Sequence, residues 1–232
     1  MHLIAFRARG APAGRSFRAM LSSMTVLAVE FPLLFLAGPT LFAYTRHRIP
    51  PIPALWAVMG YCLLVMLRDP RFDRRRLWDP GGLRQYAPAI LGLFAAAVAI
   101  GIALVWRCAP RTLLDFPKLN PLLWGMAMLL YPLLSVYPQG IVYRVFVFSR
   151  YRDLFGSGWG MVLASAIAFA YVHIVFRNAP ALGLTLVAGL LFAMRYPQTG
   201  SLVISSCEHA LYGRAIFTIG QERWFYHGAV RR

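Results

Sequence analysis

The stretch YAPAILGLFAAAVAIGIALVW, from Tyr86 to Trp106, decides the fold class of this protein. It carries no charged residue and is long enough to cross the apolar core of a bilayer, which takes about 20 helical residues. Because its apolar residues do not alternate with polar ones, it predicts a helix and not a strand of a membrane barrel. Its many alanines and glycines are typical of a helix that packs closely against neighbouring helices.

Further apolar blocks lie on both sides of this stretch. They are Met20–Tyr44, Ile52–Leu67, Leu122–Tyr137, Gly158–Phe176, Ala179–Met194 and Ser201–Ile219. Together the blocks predict an all-α fold, a polytopic transmembrane helical bundle of about seven spans. The composition agrees, since 59% of the 232 residues are hydrophobic and only 14% are charged, whereas soluble domains average about 25% charged residues.

The positive charges lie between the apolar blocks. The run Arg68–Arg84 is the most basic, and an arginine-bearing loop is expected at Tyr143–Asp153. Short basic loops face the cytoplasm in multi-pass proteins, so two spans before the first run place the N-terminus there too. Met20–Tyr44 is too long for the apolar region of a signal peptide, about 7–15 residues, and is predicted to be the first span. We expect a bacterial-type inner (plasma) membrane protein with a cytoplasmic N-terminus.

The sequence predicts a single membrane domain in four parts. These are a basic cytoplasmic N-terminus at 1–19, N-terminal helices at 20–120 with a basic cytoplasmic loop at 68–85, a helical core at 121–220, and an interfacial C-terminal tail at 221–232. The tail contains Trp224, Phe225 and Tyr226, and tryptophan and tyrosine concentrate at membrane–water interfaces.

The charge balance and the cysteines exclude some classes of function. A net charge of +16 can indicate nucleic-acid binding, but here the arginines follow the loops between spans. We therefore expect a lipid bilayer with anionic headgroups as the partner, and no nucleic acid.

Cys62, Cys108 and Cys207 have neither disulfide-type nor metal-type spacing and are interpreted as small buried residues.

Polar residues within the spans are costly to bury in a bilayer, so each is a candidate functional residue. Two histidines in separate late spans, His173 and His209, favour a shared polar site; a hydrogen bond between helices is the alternative. Glu208 lies directly beside His209. It could act in catalysis, or it could form an ion pair with an arginine such as Arg144 or Arg214.

Short motifs in the second half of the chain resemble those of the CAAX-protease and bacteriocin-processing (CPBP, Abi) family of intramembrane proteases. The first motif of that family has two glutamates, three further residues and an arginine. Here the corresponding residues are Gln139, Gly140 and Arg144. The second motif is present as Phe169 and His173, which are four residues apart and therefore share one helix face.

The segment that begins at Ser201-Leu202 resembles the third motif of the family. That motif has a histidine, which is His209 here, and an asparagine four residues later, where this chain has Gly213. The resemblance covers roughly 121–220. It implies an intramembrane endopeptidase of the CAAX prenyl protease or bacteriocin-processing type, whose substrates are membrane-associated peptides or proteins.

The resemblance also implies roles for individual residues. A first-motif glutamate and His173 would deprotonate a water, His209 and the asparagine would stabilise the oxyanion, and Arg144 would position the glutamates. Gln139 can orient a water but cannot take its proton, and losing a general base typically costs about 10²–10⁴ in rate. Our hypothesis is that Glu208, or failing that Glu30, replaces the missing base.

Three alternatives stay open at this point. A catalytically inactive relative, a pseudoprotease, could bind membrane peptides or protein partners in the same cavity. A small transporter fits the span count but lacks paired broken-helix signals. A divalent metal such as zinc could be held by His173, His209 and Glu208. It is not favoured, because neighbouring residues of one helix point about 100° apart.

Overall fold

The computed structural model describes residues 17–45 and 48–225, and all regular secondary structure in those residues is helical. The predicted all-α fold is thereby confirmed. Thirteen α-helices follow one another along the described residues, and they are α1 (Phe17–Pro32), α2 (Gly38–Thr45), α3 (Pro51–Leu67), α4 (Arg75–Trp78), α5 (Leu83–Cys108), α6 (Asp115–Leu119), α7 (Pro121–Tyr131), α8 (Tyr137–Gly140), α9 (Val147–Arg150), α10 (Arg152–Phe155), α11 (Trp159–Val172), α12 (Ala179–Thr199) and α13 (Leu202–Thr218).

Several of these helices are long and apolar enough to cross a membrane, as expected of a multi-pass membrane protein. Five qualify among the described residues, and they are Met24–Thr45, Leu83–Cys108, Pro121–Arg150, Trp159–Phe176 and Ala179–Thr199. The other two predicted spans correspond to α3 and α13, of 17 residues each. Each is about 26 Å long, slightly less than the roughly 30 Å of a bilayer core.

The fourth span differs from its prediction. We expected it to end at Tyr137 and to be followed by a loop at Tyr143–Asp153, but the helix continues to Arg150. Its lower half, Ile141–Phe148, is buried inside the bundle instead of lying in a loop. Arginine in this segment indicated a loop from sequence, because burial of a guanidinium among other helices leaves no trace in the local pattern.

The same span is interrupted by two π-helical segments, Pro132–Val136 and Ile141–Phe146. Proline has no N–H to donate and its ring clashes with the preceding turn, so Pro132 and Pro138 disturb the regular α-helical ladder. Wider π turns accommodate such disturbances and are frequent at functional sites. The first motif lies between and within these two segments.

The outer surface of the bundle is apolar. Leu122, Leu129 and Leu133 on the fourth span are 76%, 70% and 65% exposed, which suits contact with lipid chains. The interior is built mainly from aromatic and aliphatic side chains of the second half of the chain, among which Phe169 and Phe192 are almost fully buried. The core thus surrounds the motif-bearing helices.

Close contact between α11 and α12 packs the helix of the second motif against its neighbour in the chain. Gly189 of α12 lies against α11 so tightly that a Cβ there would be 3.1 Å from both the Ala166 carbonyl oxygen and Phe169 Cδ1. Small residues allow this close approach of helix backbones in membranes.

Polar contacts tie the first half of the chain to this core. Glu30 of α1 binds Arg150 and Tyr151, the Tyr86 hydroxyl donates to the Gln198 carbonyl at 2.9 Å, and the Ser201 hydroxyl donates to the Asp79 carbonyl. The predicted boundaries at 20–120 and 121–220 remain predictions. Most of the predicted N-terminal segment 1–19 and residues 226–232 of the predicted tail lie outside the described residues.

Candidate active site

A cavity of about 530 Å³ lies among the helices of the second half, with α2 and α3 contributing to its wall. Its lining is mainly aliphatic and aromatic. Seven polar side chains interrupt that lining, and they are Tyr131, Ser135, Gln139, His173, Thr185, His209 and Tyr212. Both histidines predicted from sequence therefore face one cavity, together with the first of the two positions that carry glutamate in the family motif.

His173 directly follows the last residue of α11 and begins a short 3₁₀ turn, His173–Phe176. Its Nδ1 lies 2.7 Å from the carbonyl oxygen of Phe169, four residues earlier. A carbonyl can only accept, so Nδ1 carries the proton and the neutral ring has its lone pair on Nε2. That nitrogen makes no hydrogen bond with the described residues and is free to accept one from a molecule in the cavity.

His209 enters the cavity from α13. Its ring stacks on Phe192 with centroids 4.5 Å apart and meets the edge of Phe169 at 5.3 Å, while the His173 ring lies 4.8 Å from the same Phe169. The His209 Nε2 is 3.3 Å from the Tyr131 hydroxyl. Phe169 of the second motif is thus the ring against which both histidines pack.

Arg144 lies beneath these aromatic rings and does not line the cavity. Its side chain is 1% exposed, and its Cζ is 4.3 Å from the centre of the Phe169 ring and 5.1 Å from that of Phe192. Neither Nη atom has a hydrogen-bond partner in the described part of the chain. The guanidinium is held mainly by cation–π contact, which partly offsets the cost of burying an unpaired charge.

The first motif presents an amide where the family motif has a carboxylate. The Gln139 Nε2 donates to the Ser135 hydroxyl at 2.7 Å, and its Oε1 is buried without a hydrogen-bond partner in the described residues. Gly140 packs against α13, where an added Cβ would lie 2.5 Å from Leu202 Cδ1 and 3.0 Å from the Ser206 hydroxyl. A longer side chain at 140 does not fit unless Leu202 moves.

The third motif departs from the family at Gly213, and the structure shows what fills the space. A Cβ on Gly213 would overlap the ring and the hydroxyl of Tyr131. Tyr131, Phe192 and Phe225 also line the cavity, although no sequence motif indicates them. In an apolar sequence an aromatic residue carries no distinguishing signal unless its neighbours in space are known.

Glu208 faces away from the cavity. Its carboxylate is fully buried and accepts two hydrogen bonds from Arg195 of α12, from Nε to Oε2 at 2.8 Å and from Nη2 to Oε1 at 3.2 Å. The partner is neither Arg144 nor Arg214, the two candidates named from sequence. Because His209 faces the cavity, its helix neighbour points about 100° away, and Glu208 does not line the cavity.

The second candidate base, Glu30, also binds other residues outside the cavity. Glu30 accepts hydrogen bonds from Arg150 at 2.7 and 3.1 Å and from the Tyr151 hydroxyl at 2.9 Å, and it does not line the cavity. Among the described residues no carboxylate lines the cavity at all. The arrangement offers a hydrogen-bond acceptor at His173 and donors nearby, but no acidic general base.

The described side chains also do not assemble a metal site. No group of three or more His, Cys, Asp or Glu side chains in this part of the chain could hold a metal ion. His173 and His209 share the cavity, but Glu208, the third possible zinc ligand, faces Arg195. The residues present thus do not fit a site of two histidines and one carboxylate.

Comparison with known proteins gives one match. Residues 120–213 match the family described as type II CAAX prenyl endopeptidase Rce1-like. The matched segment contains all three motifs and confirms the resemblance to the CAAX-protease and bacteriocin-processing family. No curated protein and no solved structure matches the chain.

Proposed function

From the match of residues 120–213 to the Rce1-like CAAX prenyl endopeptidases, a protease family, we propose that this chain binds an apolar segment of a membrane-associated peptide or protein without glutamate-dependent hydrolysis. The observation that carries the proposal is the cavity lining, which in the described part of the chain holds two histidines and a glutamine but no carboxylate. Both glutamates predicted to replace the base are paired with arginines elsewhere.

The chemical reason concerns the proton of the attacking water. A positioned base must take that proton as the carbonyl is attacked, and its loss typically costs about 10²–10⁴ in rate. At 1.36 kcal/mol per decade this corresponds to about 3–5 kcal/mol of barrier. Gln139 can accept a hydrogen bond from water through Oε1 but cannot remove a proton, so binding persists where fast hydrolysis does not.

The shape and polarity of the cavity suit an apolar ligand with a few polar groups. Its volume of about 530 Å³ lies within the roughly 300–1,000 Å³ of most small-molecule sites, whose walls are mainly hydrophobic with few convergent polar groups. The substrate that the family's description indicates, a prenylated CAAX tail, has this chemistry. A prenylated peptide tail is therefore the first ligand class to test.

One observation favours a second candidate function, slow hydrolysis. With its Nδ1 proton bound to the Phe169 carbonyl, His173 presents a free Nε2 lone pair to the cavity. A neutral imidazole can act as a general base near neutral pH. In this second mechanism His173 alone removes the proton of the water that Gln139 orients.

The test of the proposal measures binding and cleavage together. A fluorescent farnesylated CAAX-type peptide is titrated against the purified chain in lipid nanodiscs, and products are followed by mass spectrometry. In the variant Ala188→Trp a large ring enters the cavity that Ala188 lines. The matched control is Val187→Trp on the same helix, because Val187 is 60% exposed on the lipid-facing surface.

We expect saturable binding that Ala188→Trp abolishes and Val187→Trp preserves, without product over hours. Absence of binding to the native chain, or equal loss in both variants, would contradict the proposal. Product that depends on His173, and is lost in His173→Ala, would establish slow hydrolysis in place of binding alone.

We also infer the orientation of the chain in a bacterial-type inner membrane from its charges. The run Arg68–Arg84 supports a cytoplasmic loop and hence a cytoplasmic N-terminus. Reporter fusions after Arg76 and after Arg107 should report a cytoplasmic and a non-cytoplasmic position, respectively. The opposite result would reverse the orientation without affecting the proposed ligand.

A further inference from the structure

Two helices that meet at the cavity are held in a fixed register by polar contacts. The Trp124 Nε1 of α7 donates to the Thr218 hydroxyl of α13 at 3.1 Å. One turn further along α7, the Arg214 Nε of α13 donates to the Met128 carbonyl at 2.9 Å. Side chain–backbone and side chain–side chain hydrogen bonds of this kind set how helices align in a membrane.

Tyr131 of α7 and Gly213 of α13 form the next contact between these two helices. Because Gly213 has no side chain, the tyrosine ring lies directly over its Cα, in space that a Cβ would otherwise fill. The ring is held on its other sides by Phe217, with centroids 5.2 Å apart, and by the edge contact with His209 at 6.2 Å. Tyr131 is therefore positioned firmly, with its hydroxyl at the cavity.

The hydroxyl has one hydrogen-bond partner among the described residues, His209 Nε2 at 3.3 Å. When the histidine proton is on Nε2, His209 donates to the tyrosine oxygen and the tyrosine O–H is left to donate into the cavity. A hydroxyl polarised in this way is a stronger donor than one that acts alone. Tyr131 directly precedes the first π segment, Pro132–Val136, so its hydroxyl lies where the α-helical geometry of this wall changes.

We propose that the Tyr131 hydroxyl donates a hydrogen bond to a backbone carbonyl oxygen of the bound peptide, and that the absence of a side chain at Gly213 is what admits this tyrosine. The proposal rests on the proposed function, since it requires a peptide in the cavity. Tyr131 is thus a ligand-binding residue that distinguishes a peptide from a purely hydrocarbon ligand such as a lipid chain.

The test uses the same farnesylated peptide and a set of analogues, in each of which one amide is replaced by a thioamide. Sulfur is a weaker hydrogen-bond acceptor than the carbonyl oxygen. Tyr131→Phe keeps the ring over Gly213 and removes only the hydroxyl, so the fold is preserved and thermal unfolding verifies this. Tyr44→Phe is the control, because Tyr44 is 72% exposed outside the cavity.

We expect Tyr131→Phe to weaken binding of the parent peptide about 3- to 10-fold, the usual range for one net hydrogen bond. Against one thioamide analogue this loss should disappear, which identifies the carbonyl that is bound. Unchanged affinity in Tyr131→Phe, or an equal loss for every analogue, would overturn the assignment. If the native chain binds no peptide, the proposed function fails as well, whereas binding with no effect of Tyr131→Phe overturns Tyr131 alone.

A reciprocal exchange gives a second, independent test. Gly213→Asn should lower the unfolding temperature, because its Cβ overlaps the Tyr131 ring. Tyr131→Ala combined with Gly213→Asn removes that overlap and supplies an amide donor in the vacated space. We expect the pair to be more stable than Gly213→Asn alone and to bind the peptide more tightly than Tyr131→Ala alone. If the effects of the two substitutions on stability and on peptide affinity were simply additive, Tyr131 would not occupy the space left by Gly213 in the way proposed.

Discussion

Glu208 is bound by Arg195, and this contact points the carboxylate at α12 instead of the cavity that its neighbour His209 lines. The pair is almost completely buried, with 1% of the Glu208 side chain and 13% of the Arg195 side chain exposed. In this protein the glutamate of the Glu208-His209 doublet links α13 to α12 through Arg195. Among the described residues, no carboxylate in the cavity lining replaces the first-motif glutamates of the family.

The first prediction concerns this ion pair. Glu208→Gln leaves Arg195 buried without its counter-ion, and loss of one partner of a buried pair typically costs about 3–5 kcal/mol. We expect a lower unfolding temperature in nanodiscs and unchanged affinity for the farnesylated peptide. The control is Glu208→Gln with Arg195→Met, which removes both charges and should recover most of the stability. If Glu208→Gln lost peptide binding at unchanged stability, Glu208 would instead be part of the binding site.

A second prediction addresses the missing glutamates. Gln139→Glu places a carboxylate at the cavity wall within reach of a bound water, and we expect it to raise peptide hydrolysis, up to about 10²–10⁴-fold for a well-placed base. Gly140→Glu should not help, because its side chain meets Leu202 and Ser206, and overpacking costs about 1–3 kcal/mol. Single-turnover product formation measures the first effect. Hydrolysis that requires both glutamates would contradict the prediction.

The third prediction concerns Arg144. Its Nη atoms are buried without hydrogen bonds among the described residues, so the cost of desolvating the charge exceeds the roughly 2 kcal/mol of a buried cation–π contact. Arg144→Met, a side chain of similar length that packs well on aromatic rings, should therefore raise the unfolding temperature of the ligand-free protein. Arg144→Lys is the matched charged control and should not stabilise. A strongly destabilised Arg144→Met would show that the guanidinium has a counter-charge.

A fourth prediction tests the packing beneath the histidines. Gly189→Leu pushes against Phe169, on which both His173 and His209 pack. We expect a loss of about 1–3 kcal/mol in stability from overpacking, together with weaker peptide binding. Gly183→Leu on the same helix is the control, since no atom lies within 4 Å of an added Cβ there. Equal effects of the two substitutions would argue against a role of this contact in shaping the cavity.

The spans could be predicted from sequence because the bilayer acts on each segment separately. Apolar length in Tyr86–Trp106 or Ala179–Met194 decides whether that segment can be a helix in lipid, whatever its neighbours. The same reasoning failed at Arg144, which indicated a loop. A buried guanidinium among aromatic rings is possible only where other helices exclude both water and lipid, and the local sequence does not contain those helices.

The candidate site divides in the same way. Sequence alone identified the histidines at 173 and 209, since ionisable groups in apolar helices stand out and matched the order of a known set of motifs. Only the tertiary structure decided what surrounds them. Glu208 and His209 are neighbours in sequence, but a helix turns about 100° between them, so one meets Arg195 and the other meets Tyr131. Which partner each side chain finds depends on the packing of α7, α12 and α13, and that packing is a property of the whole bundle.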